Sequence, residues 1–295
     1  MSEISINLAR ELQITYYLST IYFVILYYDY LLTLPAEVRL FWFRSRRARW
    51  SWPSILFFLN RYAALLGHVP FIIEVFIFPA NRTVCETINK FHQFYAALSQ
   101  LLGIIICAIR VSAIYNHYRP VLAFLVLLIL GCIVLGLWGI LSGWQQGSPV
   151  MLGLDFNIPG CNPLHSPSQS ARFAVAWSGP LVFDCAVFVL TATKAFRIGR
   201  QFPGSLVRVL LRDGTLYFIL LFLANLSNIL MYLYAVPVQK GTNTILVNVL
   251  STVAISRLML NLRATHERSM LGSSRTDESA STVLRMQDLS GRSRV

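Results

Sequence analysis

The chain has 295 residues, of which 56% are hydrophobic and 13% charged, whereas a soluble domain carries about a quarter charged residues. A soluble helical core would need polar faces on its helices, and the long apolar runs here are mostly apolar all round. The net charge of +12 is not read as a nucleic-acid surface. Arginine-rich loops in a membrane protein mark its cytosolic side and favour anionic lipid headgroups.

Seven apolar runs occur between residues 14 and 262, and most reach the ~20 residues that a helix needs to cross a bilayer. The first spans 14–34. It is too long for a removable signal peptide and no small-residue cleavage site follows it, so it reads as a signal anchor behind a short outer segment, 1–13. A basic loop follows, with Arg39, Arg44, Arg46, Arg47 and Arg49 against the single acid Glu37, and with Trp42, Trp50 and Trp52 for the headgroup boundary. The second span, 53–78, opens on a proline at its first turn. Within it Pro70 frees a carbonyl near Leu66 and predicts a bend toward a polar pocket.

The third span covers 94–115, and a tight turn leads into the fourth, 120–141. The loop 143–172, rich in Gly, Pro, Ser and Asn, reads as irregular. The fifth span is 173–196 and the sixth 215–236, with Lys194, Arg197, Arg200, Arg208 and Arg212 between them. The seventh is 244–262. From 263 to 295 the chain is too polar to bury a core and reads as a disordered cytosolic tail. The predicted fold is therefore an all-α, seven-transmembrane helix bundle over 14–262, its N-terminus outside and its C-terminus cytosolic by the bias of short-loop arginines. Plasma membrane is the expected home ahead of the endoplasmic reticulum.

Ionisable groups within spans are costly and usually face the bundle interior with a partner. Asp29 and Arg61 lie at similar depths on neighbouring spans, which predicts a structural ion pair; snorkelling of Arg61 to the headgroups is the alternative. Asp184 falls near the middle of the fifth span, with Asn225, Ser227, Asn228 and Asn248 as polar neighbours. It is either a hydrogen-bond strut or part of an intramembrane polar site. Glu74 sits about a turn from the outer boundary, within reach of headgroups. His68, with no second ligand at metal spacing, reads as structural. Arg110 and Arg257 are placed to snorkel.

Cys107, Cys132 and Cys185 read as small apolar residues. Cys85 and Cys161 both fall in outer loops, where the compartment is oxidising, and a Cys85–Cys161 disulfide is the pairing this topology offers. Asn81-Arg82-Thr83 matches the glycosylation triplet on the outer side; Asn225-Leu226-Ser227 matches it inside a span, out of reach.

The stretch Tyr28-Asp29-Tyr30-Leu31-Leu32-Thr33-Leu34, with Glu37-Val38, Trp42 and Leu56-Phe57-Phe58-Leu59-Asn60-Arg61-Tyr62, resembles a basidiomycete fungal family of multi-pass membrane proteins, that of domain of unknown function 6533. The signature covers 17–63. Arg110-Val111-Ser112-Ala113-Ile114-Tyr115 and the segment 255–263 are similar to that family's third and seventh spans. The resemblance implies a seven-helix membrane protein of unassigned function. It places Asp29 and Arg61 in the motif and supplies no substrate, cofactor or catalytic residue.

Seven spans also describe heptahelical receptors, yet the chain departs from the rhodopsin-like pattern. No acid precedes Arg110, the sixth span lacks a Trp-Pro kink, the seventh lacks Asn-Pro, and no mid-span lysine waits there for retinal. The expected function is non-enzymatic, receptor-like or scaffolding, because zinc-ligand helices, Gly-x-Ser-x-Gly turns and paired carboxylates are missing from the sequence. The alternative is a transporter or channel with a polar path near Asp184, which the want of an inverted repeat weakens. No cofactor is implied; the expected partners are the bilayer and its anionic headgroups, with no nucleic acid.

Overall fold

A computed structural model describes residues 3–43, 51–76, 82–144, 150–151, 161, 163–201, 206–265 and 267. Seven of its helices are long and apolar enough to cross a membrane. α1 (Glu3–Glu37) passes straight through Pro35 and ends in a π-turn, Val38–Trp42. Its Tyr17, Ile21, Val24, Tyr28 and Leu31 are exposed, while Ser19, Tyr22, Phe23, Leu26 and Asp29 are buried. Both sets follow the three-to-four residue step of a helix. The outward stripe is apolar, as it is when the surroundings are lipid, and the polar Ser19 and Asp29 turn inward beside Tyr22, Phe23 and Leu26.

The second span is two helices, α2 (Trp52–Gly67) and α3 (Val69–Phe76), broken at His68. Pro70 has no N–H to give to the turn behind it. The adjacent Leu65 carbonyl is taken instead by the Tyr27 hydroxyl at 2.9 Å. The imidazole of His68 rests in the gap, Nδ1 2.7 Å from the Ala64 carbonyl and 3.1 Å from the Tyr95 hydroxyl. A Cβ on Gly67 would sit 2.1 Å from the Tyr95 ring. Gly67→Ala is therefore expected to push Tyr95 off His68 and to cost about 1–3 kcal/mol of overpacking, seen as a lower melting temperature in detergent. Unchanged melting would mean that the ring moves freely.

α4 (Arg82–Ile114) begins at Arg82 rather than at 94, because its first turns are amphipathic and evade a hydropathy criterion. It ends at Asn116 and His117, both left-handed, with His117 N–H donating to the Ser112 carbonyl at 2.9 Å. That bond closes the helix in the manner of a Schellman turn. α5 (Arg119–Trp144) returns. Then β1 (Val150–Met151) pairs antiparallel with β2 (Pro163–Leu164), ahead of α6 (Pro167–Gln201) and α7 (Leu206–Tyr234). The last helix, α8 (Thr242–Thr265), lies at the centre, with 61% of its apolar window buried against 11% for α5.

The largest buried cluster joins α4, α5, α6, α7 and α8 through Ile104, Val111, Leu125, Phe183, Phe218 and Ile255. A second ties α1 to α2, α4 and α8 through Tyr22, Leu65, Tyr95 and Val249. The face where α1 begins is called here the amino face, and the one where α8 ends the carboxy face. The expected tail starts later than 263, since Arg263 still belongs to α8 and lies over the Phe41 ring, 3.7 Å from its centroid.

Candidate functional site

Three polar layers are stacked along the bundle. The layer nearest the carboxy face contains four charged side chains. Arg61 Nε lies 2.7 Å from Glu37 Oε2, with both side chains almost fully buried. Its Nη2 donates to the Thr33 hydroxyl at 2.7 Å and the Tyr30 carbonyl at 3.0 Å. The other Glu37 oxygen accepts from the Tyr62 hydroxyl at 2.9 Å and from Trp42 Nε1 at 3.1 Å. Asp29 is 2.5 Å from Arg257 Nε on α8.

The expected Asp29–Arg61 pair is thus replaced by two others. Ending the first span at 34 treated Glu37 as a loop residue. Because the helix continues through Pro35, Glu37 is carried into the bundle on the side facing Arg61. Asp29, two turns earlier on α1, faces α8. Arg257 is paired, not snorkelling freely, although its side chain keeps 40% exposure. Arg110 lies over the Phe218 ring, 5.8 Å from its centroid.

The middle layer holds Asp184, whose Oδ2 accepts from Asn225 Nδ2 at 2.6 Å. Asn228 is engaged elsewhere, its Oδ1 accepting from the Thr244 hydroxyl at 3.3 Å. Since α7 and α8 are antiparallel, the turn from Asn228 to Asn225 and the turn from Thr244 to Asn248 descend together, so Asn225 and Asn248 share a depth. Both amide atoms of Asn248 and Oδ1 of Asn225 are buried without a hydrogen-bond partner among the described residues. Such atoms are uncommon in folded chains. The structure brings Asp184 and Asn225 into contact and sets Asn248 at their level.

Towards the amino face the helices part around a cavity of about 380 Å³. Apolar walls come from Phe71, Leu101, Ile104, Ile133, Ile140 and Trp177, and polar groups from Glu74, Asn89, His92, Gln93, His165 and Lys240. Such a mixture, mostly apolar with a few convergent polar groups, is typical of small-molecule sites. The Cys85–Cys161 disulfide borders it, with Cα atoms 5.3 Å apart. Glu74 does not reach for headgroups: its Oε1 accepts from the Cys161 N–H at 3.1 Å. Burial, and next the Lys240 ammonium, push the His165 imidazole down to about 4, so it is neutral near pH 7.

Asn81, the predicted glycosylation acceptor, lies outside the described residues. Asn89, His92, His165 and Lys240 were not singled out from sequence. The first two sit in turns assigned to a loop, and the last two in connections whose packing no local pattern discloses. Glu37 left a usable signal as the single acid among arginines, five residues before a tryptophan.

The fold defines a seven-span helical membrane protein with a cavity in one half. Residues 17–66 match a family described as a family of unknown function (DUF6533). That stretch holds Asp29, Glu37 and Arg61, three of the four charged side chains of the carboxy-face layer; Arg257 lies outside it. No curated protein and no solved structure matches the chain.

Proposed function

We propose that this is a receptor-like, non-enzymatic membrane protein whose amino face lies outside the cytosol and whose cavity is its ligand site. The observation that carries the reading is a cavity confined to one half. Asp184, Asn225, Asn228 and Asn248 lie beneath it, are at most 4% exposed and do not line it. On the carboxy side, among the described residues, the space near Asp29 and Arg61 amounts to about 10 Å³, at or below what one water molecule needs. A ligand that enters therefore meets a floor. The arginine-rich connections at the carboxy face support the orientation, and a disulfide at the amino face suits an oxidising compartment.

The transporter reading retains one support, the amide of Asn248, buried at the depth of Asp184 without a hydrogen-bond partner among the described residues. Reconstituted vesicles separate the two. Proton and cation flux through the wild-type chain is expected to equal that of empty vesicles, and Asp184→Asn to change nothing. Hydrogen exchange at the carboxy-face ends of α6 and α8 is expected to shift when Trp replaces the buried lining residue Ala96 (Ala96→Trp). Flux that Asp184→Asn abolishes would overturn the receptor reading.

A further inference from the structure

The cavity's wall is incomplete on one side. Phe94, Leu98 and Leu137 line it and are at the same time 47%, 67% and 50% exposed. Side chains that do both stand between the cavity and the outer surface. These three belong to α4 and α5, within segments apolar enough to lie in hydrocarbon. The two helices are pinned together at the carboxy face by the turn at Asn116 and His117. The buried cluster they share extends along α5 no further than Cys132. Beyond that point a Cβ on Gly136, another lining residue, would meet nothing within 4 Å. The opening therefore faces lipid tails.

We propose that the cavity takes a single-chain lipid with an uncharged polar head, which enters from the bilayer between α4 and α5. This rests on the reading of the cavity as a ligand site and names the class of ligand. The volume of about 380 Å³ is that of a small-molecule site and accommodates one acyl chain. Beyond Gln93 the walls on the α4–α5 side are aliphatic and aromatic apart from Gln100, matching a chain. Polar lining gathers toward the amino face, where Glu74, Asn89, His165 and Lys240 offer both donors and acceptors. The polar lining mixes one carboxyl and one ammonium with the amides of Asn89, Gln93 and Gln100 and holds no cluster of one charge that would repay the desolvation of an ion; a hydroxyl or ester, which donates or accepts, is the head that fits.

The probe is dodecanol carrying a diazirine in its chain, used on the full chain in phosphatidylcholine nanodiscs. Photolabel is expected on 94–104 and 132–140, competed by excess dodecanol and reduced at least tenfold by Gly136→Trp. Gly131→Trp is the control: it too meets open space, but does not line the cavity, and it should label as wild type does. Leu98→Cys, alkylated after folding in a Cys185→Ser background, repeats the blockade on protein already assembled. Equal labelling in the blocked and control forms would mean mere contact with surrounding lipid and would overturn lateral entry. Equal labelling by the matching dodecanoic acid would overturn the uncharged head. A water-soluble ligand that shifts exchange at the carboxy face even in Gly136→Trp would leave the receptor reading standing and sink this one.

Discussion

Arg61→Ala is expected to abolish the folded bundle at ordinary temperatures. The substitution leaves Glu37 fully buried with no cation and strips the Thr33 hydroxyl and Tyr30 carbonyl of their donor. Removing one partner of a buried pair costs about 3–5 kcal/mol, a large share of the ~5–15 kcal/mol that holds a domain together. Loss of the monodisperse peak on size-exclusion chromatography in mild detergent, with a collapsed melting curve, is the readout. Arg61→Lys should rescue only in part, since an ammonium cannot serve Glu37, Thr33 and Tyr30 together as the planar fork does. The double variant Glu37→Gln, Arg61→Met should be more stable than Arg61→Ala, because no bare charge remains. Asp29→Asn is the instructive contrast. Its partner Arg257 is 40% exposed and can turn to the headgroups, so a loss of about 1 kcal/mol or less is expected. Equal damage from Asp29→Asn and Arg61→Ala would refute the pairing described here.

Removing the disulfide is the second large effect. Cys85 and Cys161 are separated by 76 residues, and a loop of that length carries about 4 kcal/mol on the chain-entropy account. The bond also fixes the backbone N–H that Glu74 accepts from, so its loss frees a carboxylate at the cavity wall. Cys85→Ser and Cys161→Ser are each expected to lower the melting temperature to a similar degree, and the double variant to add little. Alkylation before and after reduction should show one protected pair in the wild type. Additive losses, or full alkylation without reductant, would show that the bond is not what ties the amino face.

The sequence disclosed the spans better than their ends. Hydropathy located every apolar helix, and the end of the first and the start of the third were decided by residues that hydropathy scores poorly. Glu37 follows a proline, which normally argues for a stop, yet the helix loses only one N–H there and carries the carboxylate inward. Arg82 to Gln93 read as loop because the exposed side of that turn is polar, whereas Cys85 is wholly buried. Pairing was harder still. Asp29 and Arg61 match in depth, but depth along a span says nothing about the angle around it, and that angle turns Asp29 to α8. By contrast Asp184 and Asn225 meet at 2.6 Å, since a lone mid-span carboxyl has few neighbours from which to choose. The cavity was not legible, because it arises from where helices fail to touch.

A ligand cavity that opens to lipid and stops halfway through the bundle holds one guest per chain. Native mass spectrometry of the full chain, released gently from its own membrane, tests this most directly. One small bound molecule per chain is predicted for the wild type and for Gly131→Trp, and none for Gly136→Trp. A wild-type chain that emerges empty, or one molecule retained equally in all three, would contradict it.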